Sequence, residues 1–108
     1  MRYISSQHFL DEAVVKEKMT QLKESNVESV EIPCTYVGFI DGEEYSIVVD
    51  HHHTLAAARA LGINAAFVVD DDPEGLTNEA VLEARWIDGD YYDIEISNPA
   101  EDEFYTIW

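Results

Sequence analysis

Basic residues are scarce in this chain. Six lysines and arginines face 23 aspartates and glutamates, a formal charge of −17 over 108 residues. A surface with that balance repels DNA, RNA and anionic membranes, so direct nucleic-acid binding and membrane binding are not expected. Cations or a basic protein partner are what it attracts. Cysteine is nearly absent, and Cys34 alone cannot close an internal disulfide. The start, Met1 to Ser6, lacks the apolar core of a secretory signal. Both features point to a reducing, cytoplasmic setting. No apolar run approaches the length needed to span a bilayer. Repeats and low-complexity linkers are also missing. What remains is 46% hydrophobic and 11% aromatic, enough for one packed core in a chain of single-domain size.

The charge is unevenly placed. From Asp70 to Trp108 there are thirteen acidic residues and one basic residue, Arg85. Residues 71–108 therefore read as an acidic C-terminal helix and strands added to a core over 1–70.

Arg2–Ser5 reads as a short strand. Ser5 or Ser6 is a candidate cap for a helix running to about Ser25, with Phe9, Leu10, Val14, Val15, Met19 and Leu22 forming one apolar stripe. Val30–Phe39 and Glu44–Val49 are β-rich runs around Asp41-Gly42, a strong hairpin signal. Pro33 suggests that the first run is an edge strand or begins late. Asp50 is a good N-cap for an alanine-rich helix, and Gly62 is a good residue to end it. Ile63–Val69 reads as a buried strand, and Asp70-Asp71-Asp72 as a loop. A second, acidic helix is expected over Thr77–Ala84, with Asn78 or Thr77 near its cap. Tyr91–Ser97 alternates like a strand, with Tyr92, Ile94 and Ile96 on one side. Phe104, Tyr105, Ile107 and Trp108 are too apolar for a free tail and are expected to dock, as a last strand for instance. The expected fold class is α/β (α+β): a small mixed sheet with two or three helices and a C-terminal β extension.

The run Glu44-Tyr-Ser-Ile-Val-Val-Asp-His-His-His-Thr-Leu-Ala-Ala-Ala-Arg-Ala-Leu-Gly-Ile63 resembles the signature of the ParB/sulfiredoxin superfamily. In that family a strand ends in Asp-Gly-His-His-Arg, an alanine-rich helix follows, and Leu-Gly-Ile leads to the next strand. The resemblance covers about residues 1–70. It implies a phosphate or nucleotide, with Mg²⁺, bound at the start of the helix by Asp50, His51, His52, His53 and Thr54. The physical basis is that unpaired amides and the positive dipole end of a helix attract anions. Two departures weaken the implied site. His51 replaces the glycine that lets phosphate approach the backbone, and Thr54 replaces an arginine that would fork onto its oxygens. Histidines can restore charge if the acidic surroundings raise their pKa. The cysteine of sulfiredoxins is missing from the motif, and no nucleophile–base spacing is legible, so a regulatory or binding role is expected rather than catalysis. The adjacent histidines also admit a metal reading, and Asp70 to Glu74 a calcium or magnesium reading. Neither has the ligand spacing of a known site, so no metal is expected there: the histidines read as one that packs, one that bonds backbone and one that faces water, and the aspartates as a solvated loop.

Two functions remain open. One is a ParB-like domain with a degenerate phosphate- or nucleotide-binding pocket. The other is an acidic inhibitor, such as an immunity protein or nucleic-acid mimic, that binds a basic nucleic-acid-acting partner.

Overall fold

The computed structural model describes all of residues 1–108. It is a five-stranded mixed sheet with three helices, an α+β fold. In chain order the elements are β1 (Arg2–Ser5), α1 (Glu12–Ser25), β2 (Ser29–Ile40), β3 (Glu43–Val48), α2 (His52–Leu61), β4 (Asn64–Asp70), α3 (Glu79–Ala84) and β5 (Tyr92–Asp93). The strands lie in the order β4-β2-β3-β1-β5. β2 and β3 form the expected hairpin. Its turn residues Asp41 and Gly42 both have positive φ, as the twist of a two-residue hairpin loop demands. β1 runs parallel to β3, with Ile4 opposite Ile47.

Side-chain alternation splits the core in two. On one sheet face Ile32, Cys34 and Val48 pack with Leu55 of α2, Tyr92 and Ile94. On the other, Ile4, Val37 and Ile47 pack with Val81 and Leu82 of α3 and with Tyr91. Each fully buried aliphatic side chain contributes about 2 kcal/mol. Residues beyond 70 thus supply part of both clusters. Gly38 sits at a bulge in β2 with φ 111°, and a Cβ there would lie 2.6 Å from Asn78 Oδ1. Glycine is required where the loop before α3 crosses the sheet so closely.

Several expectations are corrected. Neither Ser5 nor Ser6 caps α1, because both are fully buried and bonded elsewhere. The cap is Asp11, whose carboxylate accepts from Ala13 and Val14 N–H. Phe9 and Leu10 precede the helix, Phe9 is 69% exposed, and α1 buries no residue completely. Pro33 lies within β2, which is flanked by β3 and β4 and is no edge strand. Its carbonyl accepts from Val49 N–H. A strand residue's N and C=O face the same neighbour, so the missing donor falls where β3 ends. β4, expected as a buried strand, is instead one of the two edges, and none of its residues is fully buried. Of the two expected caps of the acidic helix, Asn78 and Thr77, Asn78 holds the N-cap position, and the helix begins at Glu79.

The strand expected over Tyr91–Ser97 is only two residues long. Ile96 points to solvent, while Asp93 is buried and held by Arg2 at 2.7 Å. The C-terminus docks as expected. Tyr91 N–H donates to Trp108 C=O, Ile107 N–H to Tyr91 C=O, and Asp93 N–H to Tyr105 C=O. Asp71 and Asp72 lie in a loop as expected, but Asp72 is not solvated. It is buried, accepts from Arg85 Nε at 3.0 Å and from Glu74 and Leu76 N–H, and the Arg85 guanidinium holds its carboxyl below the usual range.

Candidate functional site

β3 ends at Val48 and α2 begins at His52, so the chain does turn from strand into helix within the motif. The cap differs from the expected one. Asp50 does not cap the helix; its Oδ1 accepts from the N–H of the next residue, His51, at 2.7 Å. His51 is the N-cap residue and makes no side-chain cap bond. Its backbone is left-handed, φ 63° and ψ 30°, a conformation that costs a residue with a Cβ about 1–2 kcal/mol. This is the position where the resembled motif has glycine. The His51 side chain is exposed, so it does not plug the corner.

The next two histidines are used internally. His52 is only 6% exposed, and its Nε2 lies 2.6 Å from Ser5 Oγ at the end of β1. That hydroxyl also accepts from Gln7 N–H at 3.0 Å. Burial pushes the His52 pKa down to about 4, outweighing the pull of Asp50, so the ring is neutral near pH 7. The acidic surroundings therefore do not raise it, against expectation: loss of hydration outweighs carboxylates that stay in water. His53 Nε2 accepts from Asp11 N–H at 3.0 Å. An accepting nitrogen offers its lone pair, so that lone pair is spent on the α1 cap. Together His52 and His53 tie the start of α2 to β1 and to the cap of α1. Thr54 is half-buried beside them.

Ser5 and His52 have the spacing of a nucleophile and its base, but Ser5 is completely buried. The pair is a joint between β1 and α2. The amides of residues 52–54 precede the first i→i−4 bond of the helix, from Leu55 N–H to His51 C=O. They are the remaining anion-attracting feature of the corner, and Asp50 sets a carboxylate beside them. No three histidine, cysteine, aspartate or glutamate side chains are grouped to hold a metal ion. Cys34 is buried, and its thiol is pushed up to about 12 by burial.

A cleft opens along the flank of α2 instead, with a volume of about 480 Å³. His52, Ala56 and Arg59 line it from one helix face, where residues three, four and seven apart align. Tyr92, Ile94, Glu95 and Asn98 form the opposite wall. Arg59 Nη1 donates to Ile94 C=O at 2.9 Å. The sequence signal for Arg59 was its spacing from His52. The opposite wall comes from the other end of the chain and carried no local signal.

The acidic third is open to solvent. Of its thirteen carboxylates only Asp72 and Asp93 are buried. The only ion pairs are Arg2 with Asp93 and Glu95, and Arg85 with Asp72. Trp86, Ile87, Tyr105, Ile107 and Trp108 are exposed among these acids, Trp86 by 53%. No helix is long and apolar enough to cross a membrane. Comparison with protein-family models, with curated proteins and with solved structures finds no match.

Proposed function

We infer that this chain is a non-catalytic binding protein of ParB/sulfiredoxin-like build that engages a basic protein through its acidic C-terminal third. The observation that carries the reading is the set of eleven exposed carboxylates between Asp70 and Glu103. Almost all lack a basic neighbour, and large apolar side chains stand exposed among them. Such a face steers a positively charged partner, while tryptophan and tyrosine supply the desolvated anchors of an interface. An acidic inhibitor of a nucleic-acid-acting protein, in the manner of an immunity protein or nucleic-acid mimic, has this chemistry. Kinship with ParB-like domains is supported by the order strand, helix, hairpin, helix, strand over 1–70, and by the αL residue at the motif's glycine position.

A second reading keeps an anion, or a nucleotide with Mg²⁺, at the start of α2. It rests on the amides of residues 52–54. Against it, His52 is neutral, His53 accepts a bond, and Asp50 places a negative charge there.

Immobilised protein and a Glu101→Lys, Asp102→Lys, Glu103→Lys variant, challenged with host extract at about 150 mM salt, separate the outcomes. The interaction reading predicts a basic protein retained by the parent and released by the variant, whose identity is then read by mass spectrometry. Retention that fades uniformly with salt for all basic proteins marks ion exchange and removes the reading.

A further inference from the structure

We propose that the cleft on the flank of α2 is a binding site for a small monocarboxylate with an apolar body, its carboxylate paired to Arg59. One wall of the site, from Tyr92 to Ala100, belongs to the acidic third, but the inference rests on Arg59 and the apolar lining and stands whether or not a basic partner binds the exposed carboxylates.

Three observations converge. First, the volume, about 480 Å³, falls within the range of small-ligand clefts. Second, its walls are largely apolar: Leu10, Leu55, Ala56, Tyr92, Ile94 and Pro99 all face it. Third, Arg59 is the one arginine of three without a carboxylate in ion-pair reach. In a chain with 23 acidic residues, that is where an unmatched guanidinium is least expected. One of its five N–H donors is spent on Ile94 C=O, which fixes the fork and leaves donors to meet a carboxylate. Glu95 lines the same cleft and its field, with that of Asp93, reaches Arg59, but neither carboxylate is within ion-pair distance of that guanidinium, and Glu95 lies 3.8 Å from Arg2. His52, neutral at the cleft wall, adds no competing charge. The protein's overall negative field acts over distances that salt screens, whereas a contact pair with Arg59 is screened far less.

The experiment uses hexanoate, 1-hexanol and hexylammonium as matched probes, followed by amide and Arg59 Nε–H chemical shifts at about 150 mM salt. Hexanoate is expected to give saturable shifts at residues 55–60 and 94–98, with 1-hexanol about tenfold weaker or worse for want of a charged hydrogen bond. Arg59→Met should reduce hexanoate binding to the level of the alcohol. Ala60→Phe, at an exposed position on the same wall, should block hexanoate and the alcohol without disturbing the fold. Equal binding of acid and alcohol overturns the proposal, as does preferential binding of the amine or an Arg59→Met protein that binds hexanoate unchanged. The absence of saturable shifts up to tens of millimolar also overturns it. Shifts confined to residues other than 55–60 and 94–98 would do the same, while leaving the partner reading intact.

Discussion

Acid should weaken this protein through one imidazole. His52 is buried against Ser5, and burial pushes its pKa down to about 4, from 6.5 when exposed. Between those values the unfolded chain takes up a proton that the folded chain refuses. Stability therefore rises with pH across the window, is complete above about pH 6.5, and is lost as pH falls toward 4. The shift implies about 2 kcal/mol lost at pH 5 and about 3 kcal/mol near pH 4. The many carboxylates titrate in the same region, so the parent alone cannot isolate the effect. The assay is urea unfolding of the parent and of His52→Gln from about pH 7.5 to 4.5. The variant is expected to be weaker at neutral pH, by about 1–3 kcal/mol for the lost buried bond. The stability difference between the two should shrink by about 2 kcal/mol on reaching pH 5, since the carboxylates are common to both. A difference that stays constant with pH would refute the reasoning, because it would mean the imidazole titrates alike in folded and unfolded chains.

Other outcomes follow from the same geometry. His51→Gly removes the Cβ from a left-handed residue and should stabilise the fold by about 0.5–1 kcal/mol, net of glycine's extra freedom when unfolded; chemical denaturation reads it. Asp72→Asn should lower the thermal midpoint clearly, while Asp71→Asn, at an exposed neighbour, should leave it unchanged. Cys34 should resist thiol reagents in the native state and label only on unfolding, because burial pushes its pKa to about 12. Tyr91 and Tyr92, both pushed up to about 12 by burial, should ionise later than exposed tyrosines in an absorbance titration.

What the sequence made legible was local. The hairpin announced itself through Asp41-Gly42, and α2 through its alanines and Gly62, because each signal acts within a few residues. Ser5 and Ser6 misled because a serine before an apolar stripe looks like a cap, yet both hydroxyls serve distant partners, His52 and the N–H of Ile87. Asp72 looked like one of three solvated aspartates; its partner Arg85 lies thirteen residues on. The strand–helix corner was legible as a place, but which histidine packs, which bonds backbone and which faces water was not. Whether an imidazole faces solvent or a buried serine depends on how β1 pairs beside β3, which no spacing within residues 50–54 encodes. The cleft was invisible for the same reason, since half of it is built by residues 92–99.

The start of α2 is the decisive place to look. Amide shifts of residues 51–55, followed while a nucleoside triphosphate with Mg²⁺ is added to millimolar levels near pH 7.5, test whether that corner is a structural joint. The account predicts no saturable change there. Saturable shifts at 52–54 that vanish in His53→Ala would contradict it and restore the phosphate site.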